Sequence, residues 1–84
     1  MLPYNVLFLY IDLMQQLEFQ LNGEFVELNQ LLKLVGVCDS GGAGKALVAE
    51  GVVSVDGQIE LRKTAKIRAE QVVSLGDVRI RVLD

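Results

Sequence analysis

The chain carries one cysteine and no histidine, and this settles much of its chemistry before any element is placed. A nucleophilic serine or cysteine is most often activated by an imidazole, and histidine is the commonest general base near neutral pH. A tetrahedral zinc site needs several thiolate or imidazole ligands. Cys38 has no second thiol to pair with, so no internal disulfide forms, as expected of a reducing, cytoplasmic setting. The eleven Asp and Glu residues form no catalytic constellation. Glu24 and Glu27 fall near the start of an expected helix, where the macrodipole favours negative charge, and Asp56 and Asp77 fall in turns. We assign no catalytic residue, no metal ligand and no cofactor, and expect a protein that is not an enzyme.

Two short runs carry the remaining chemistry. The first, Ser40-Gly41-Gly42-Ala43-Gly44-Lys45, is a glycine-rich stretch before an expected helix, a setting in which backbone N–H groups can cradle phosphate. A nucleotide-binding P-loop would need glycine at Asp39, Ser or Thr at Ala46 and a preceding buried strand, and all three are missing. Two readings stay open: a turn whose Ser40 hydroxyl caps the helix, or a contact to an RNA phosphate to which Lys45 adds charge.

The second run is Leu61-Arg62-Lys63-Thr64-Ala65-Lys66-Ile67-Arg68, with four cations in seven positions and no acid. In an extended chain alternate residues share a face, so Lys66 and Arg68 project together with Arg62 in register. The competing reading is a solvated basic edge that discourages strand pairing. Net charge is −3, which argues against nucleic acid, but the distribution is uneven. Through Glu60 only Lys33 and Lys45 oppose eight carboxylates, whereas from Leu61 six cations face three acids, and local potential is what attracts a phosphate backbone. All five aromatic residues lie in the first 25 positions, so no base-stacking platform is indicated.

The elements that must position these runs follow from periodicity. Eighty-four residues, 51% of them hydrophobic, form one domain that buries about 60–65% of the surface its unfolded chain exposes. Residues 1–13 are apolar, too short to span a bilayer as a helix, and lack the features of a secretory signal. They are an extension upstream of a domain, 14–84, that starts at Met14, or an added element packed on the core. Leu17, Phe19 and Leu21 alternate with Glu18 and Gln20 as a half-buried strand ending at Asn22-Gly23. Leu28, Leu31, Leu32 and Val35 mark one face of a helix stopped by Gly36. A second helix, 41–50, has mostly small apolar residues and can pack close to a neighbour. Strands follow at 52–55 and 59–61 around the Asp56-Gly57 turn, and at 72–75 and 78–82 around Gly76-Asp77.

This order of elements resembles the S-four RNA-binding domain, the alpha-L motif named for protein four of the small ribosomal subunit. The resemblance runs from Glu27 to about Val82 and rests on the first helix, the loop to Ser40, the second helix ending Val48-Ala49-Glu50-Gly51, and Val53-Ser54-Val55-Asp56-Gly57. The stretch from Arg62 to Ile67, followed by Val72-Val73-Ser74, is similar to a small stand-alone bacterial subfamily. The resemblance implies an α+β fold, a helix-loop-helix packed on a small, mainly antiparallel sheet. By matched position it implies RNA contacts from Lys33, Ser40 and Lys45, with Arg62, Lys63, Lys66 and Arg68 of the subfamily's basic segment. Gly41 stands where many members have arginine, which removes a phosphate contact. Gly44 replaces a usual alanine, at about 1 kcal/mol of helix propensity.

The expected function is non-catalytic binding of structured RNA, ribosomal or transfer RNA among the candidates, by a monomer with no membrane association. The alternative is a protein-interaction module using an exposed strand edge and the apolar N-terminus.

Overall fold

Alternation of apolar and polar residues gives the longest strands. The computed structural model describes residues 15–84, and the expectations placed on 1–13 lie outside the described residues. Strand β1 (Gln15–Gln20) is followed by a two-residue strand β2 (Val26–Glu27), helix α1 (Leu28–Leu34), helix α2 (Gly41–Ala49), and strands β3 (Val53–Val55), β4 (Gln58–Ile59), β5 (Lys66–Ile67), β6 (Val72–Leu75) and β7 (Val78–Leu83). Five strands form one sheet in the order β1-β7-β6-β3-β4, and β2 pairs with β5 in a separate ladder. All pairs are antiparallel except β1 with β7, which are parallel and in register from Gln15↔Val78 to Gln20↔Leu83. The fold is α+β, as the sequence implied.

The turns match their residues. Asp56 and Gly57 both take positive φ, +50° and +85°, the backbone of a two-residue hairpin whose twist matches its strands. The Asp56 carboxylate also accepts from the Val72 amide at 2.9 Å, and the Asp56 amide donates to the Val72 carbonyl at 2.8 Å. One turn residue therefore pins the start of β6.

Helix α1 ends at Gly36 (φ +85°), but its start has no side-chain cap. Its first amides are met from a distance along the chain: Leu28 N donates to the Ala65 carbonyl at 2.8 Å and Asn29 N to the Lys63 carbonyl at 3.2 Å. These satisfy donors that a helix leaves without internal partners, and they fix the segment 63–65 against α1. Helix α2 is capped by Ser40, whose Oγ accepts from Ala43 N at 3.0 Å, as expected of that residue.

The core joins Leu28, Leu31 and Leu32 of α1 and Val48 of α2 to Val53, Ile67, Val73, Ile80 and Val82, each essentially inaccessible to solvent. Close approach of the helices depends on Gly44. A β-carbon there would lie 2.5 Å from the Asn29 carbonyl oxygen, so the propensity lost at Gly44 is exchanged for contact between backbones. Buried Asn29 donates from Nδ2 to the Gly41 carbonyl at 3.4 Å, while its Oδ1 has no partner among the described residues.

Candidate nucleic-acid interface

The basic segment is not one extended strand. Only Lys66–Ile67 is β-strand, and a turn closed by Ala65 N donating to the Arg62 carbonyl at 3.1 Å separates Arg62 from it. The alternation expected to carry Arg62 into register with Lys66 and Arg68 is therefore broken. The Lys63 and Ala65 carbonyls beside this turn accept from the first amides of α1. Lys66 and Arg68 do project together, on either side of Ile67, which is buried in the core.

What gathers these two cations is Phe25, just before β2. Lys66 Nζ lies 4.9 Å from the ring centroid and Arg68 Cζ 5.5 Å from it, within range of cation–π attraction worth about 0.5–1 kcal/mol at exposed sites. The antiparallel ladder Val26↔Ile67, Glu27↔Lys66 sets this meeting. Phe25 remains 38% exposed, so the cluster faces solvent. The sequence reading missed Phe25 because it is remote in the chain from the cations and the two-residue β2 is too short to show a period.

Arg62 reaches the same surface by another route. Its Nε and Nη2 grip the Glu60 carboxylate at 2.9 and 2.8 Å, and its backbone N donates to the same carboxylate at 2.9 Å. Among the described residues this is the one ion pair. The hydrogen bonds from the Arg62 side chain, then from its backbone, hold the Glu60 carboxyl down to about 2, and Glu60 in turn raises the guanidinium's pKa. The pair orients Arg62 and partly neutralises it, while the Arg62 side chain stays 80% exposed. Arg62, Thr64, Ala65 and Lys66 line one shallow depression.

The other expected contacts are more dispersed. Lys63 is exposed in the turn beside Arg62, Lys33 is exposed in the last turn of α1, and Lys45 is exposed on α2. Ser40 is exposed and serves as the cap of α2. Half-buried Cys38 donates to the Ser40 carbonyl at 3.4 Å. The structure thus brings Arg62, Lys66 and Arg68 to one surface with Lys63 at its margin, and no recorded contact ties Lys33 or Lys45 to that cluster. Among the described residues, no group of His, Cys, Asp or Glu is placed to hold a metal ion, and no helix is long and apolar enough to cross a membrane.

A helix pair packed on this sheet, with a basic segment pinned to the first helix, has a counterpart among known families: the model described as S4 domain matches residues 19–83. The chain belongs to the S4 domain family. Within that family it is similar to YbcJ of Escherichia coli (strain K12), named as an RNA-binding protein, with 48% identity over 58 residues that cover 69% of this chain and 83% of that protein. YbcJ of Shigella flexneri matches with the same identity and coverage. The solution structure of the E. coli protein, described as revealing an αL motif involved in RNA binding, superposes with a TM-score of 0.63 at 44% identity, covering 80% of this chain and 86% of the other. Both the S4-like, αL assignment and the α+β fold drawn from the sequence therefore hold.

Proposed function

We propose that this S4 domain binds structured RNA without catalysing a reaction. Arg62, Lys66 and Arg68 contact phosphates around Phe25, with Lys63, Lys33, Lys45 and Ser40 on the flanks. The observation that carries this reading is the Phe25 ring holding two cations side by side next to an oriented guanidinium. A chain with a net charge of −3 gathers three cations there, with Glu60 on Arg62 and Glu27 across from Lys66. The naming of E. coli YbcJ as RNA-binding supports the choice of ligand. Folded RNA, ribosomal or transfer RNA among the candidates, suits a site that presents cations but no broad aromatic platform, because phosphates and 2′-hydroxyls are read by shape.

With about four phosphate contacts, the logarithm of affinity falls against log salt with a slope of about −3 to −4. Lys66→Ala with Arg68→Ala is expected to make the slope shallower by roughly 1.4 to 1.8. A flat salt response in the unaltered protein, or unchanged binding by the double variant, refutes the assignment.

A second reading, protein docking at the β4 edge, draws on Ile59 and Leu61, which are 64% and 62% exposed. Sedimentation analysis showing concentration-dependent association that Ile59→Ser with Leu61→Ser abolishes would favour it.

A further inference from the structure

Six of the eight cations belong to the surface described above or its flanks, and the other two, Arg79 and Arg81, lie elsewhere. They occupy alternate positions of β7, between buried Ile80 and Val82, and both are exposed. The helices pack on the face that carries Ile80 and Val82, so the two guanidiniums leave the opposite face of the five-stranded sheet, which no helix among the described residues covers. Residues directly paired across strands share a face. Register therefore sets Gln16 and Ser74 beside Arg79, Glu18 and Val72 beside Arg81, and Ser54 beside Ser74. Gln16, Leu17, Glu18, Val72, Arg79 and Arg81 line one depression.

The composition of this face points to an anionic strand. Two guanidiniums separated by two strand residues, roughly 7 Å, can each take a phosphate of the same backbone, because a guanidinium's fork of donors matches phosphate geometry. Their neighbours Gln16, Ser54 and Ser74 supply neutral hydrogen-bonding groups. Glu18 is the one acid in register with them, yet among the described residues neither arginine makes an ion pair. A sheet face that needed only wetting could use any polar residue, whereas this one holds a quarter of the cations of an acidic chain.

We infer that this face of β1, β7 and β6 is a second phosphate-binding strip, which takes another segment of the RNA held at the Phe25 surface. This rests on the RNA-binding reading above and adds a separate contact to it. Its test is a fluorescence titration of unfractionated transfer RNA at several salt concentrations. The proteins compared are the unaltered chain, Arg79→Ala/Arg81→Ala, Arg79→Lys/Arg81→Lys and Lys66→Ala/Arg68→Ala, with amide resonances followed by NMR. Loss of two phosphate contacts makes the slope shallower by roughly 1.4 to 1.8 in the alanine variant, the lysine variant keeps the steeper slope, and transfer RNA shifts the amides of Ser74 and residues 79–81 in the unaltered chain.

If Lys66→Ala/Arg68→Ala weakens binding while Arg79→Ala/Arg81→Ala changes neither slope nor affinity and the β7 amides stay in place, the second strip is refuted and the first site stands. β7 amides that move with poly-glutamate and not with transfer RNA overturn the choice of ligand. An unaltered protein that binds neither transfer RNA nor ribosomal RNA in the same titration overturns both readings. Should the alanine variant fail to fold, the lysine variant and the amide shifts decide.

Discussion

Asp56 offers a test of how one turn residue holds the sheet together. Its φ of +50° costs an ordinary L-residue about 1–2 kcal/mol, a penalty that Asn and Asp relieve locally and Gly avoids. Its carboxylate accepts from the Val72 amide at 2.9 Å, and a hydrogen bond to a charged group contributes about 1.5–3 kcal/mol. Because Asp56 is exposed, water takes over part of that role and the low end applies. Asp56→Ala loses both features and is expected to cost about 2–3 kcal/mol. Asp56→Gly restores the backbone and loses only the acceptor, at about 1–2 kcal/mol. Asp56→Asn keeps the turn preference and a neutral acceptor, at under about 1 kcal/mol. In thermal unfolding by circular dichroism, where 1 kcal/mol moves the midpoint by about 4–8 °C in a domain of this size, alanine should lower the midpoint by roughly 10–20 °C and asparagine by only a few degrees. A cost for asparagine equal to that of alanine, or an alanine variant within about 2 °C of the unaltered protein, refutes the reasoning.

Three other outcomes follow from particular contacts. Phe25→Ala removes the ring beneath Lys66 and Arg68 and is expected to weaken RNA binding about three- to tenfold, while Phe25→Tyr retains affinity in the same titration. Gly44→Ala would gain about 1 kcal/mol from helix propensity alone, yet its β-carbon meets the Asn29 carbonyl. Urea denaturation should therefore show a net loss of up to about 2 kcal/mol, since overpacking costs about 1–3, and a gain would show that the helices separate readily. The Glu60 carboxyl, held at about 2 against an ordinary value of 4.5, stabilises the folded state above pH about 4.5 and loses that contribution as pH falls toward 2. The effect is small because the Arg62 side of the pair is 80% exposed and screened by solvent. Carbon-detected NMR should follow the low titration, and Arg62→Ala should return it to the ordinary range.

Much of the fold was legible in the chain itself because it depends on local chemistry. Apolar residues at helical spacing gave α1, and Gly36 stopped it. Ser40 capped α2, and Asp56-Gly57 selected its turn. Alternation along 78–82 placed Arg79 and Arg81 on one face and Ile80 and Val82 on the other. The candidate site was legible only in part. Its cations could be named from charge density, but their arrangement depends on contacts between distant segments that leave no periodic trace.

The histidine-free composition and the uneven placement of charge belong to the sequence alone, and they name the cations that the proposed site uses. Tertiary structure decided which cations meet. The Ala65 amide closes a turn on the Arg62 carbonyl, and this bends the basic run so that Arg62 leaves the register of Lys66 and Arg68. The short β2–β5 ladder then carries Phe25 to those two. Spacing fixes which side chains share a face only while the backbone stays regular. Here the turn at 62–65 breaks that regularity, and only the folded chain shows where.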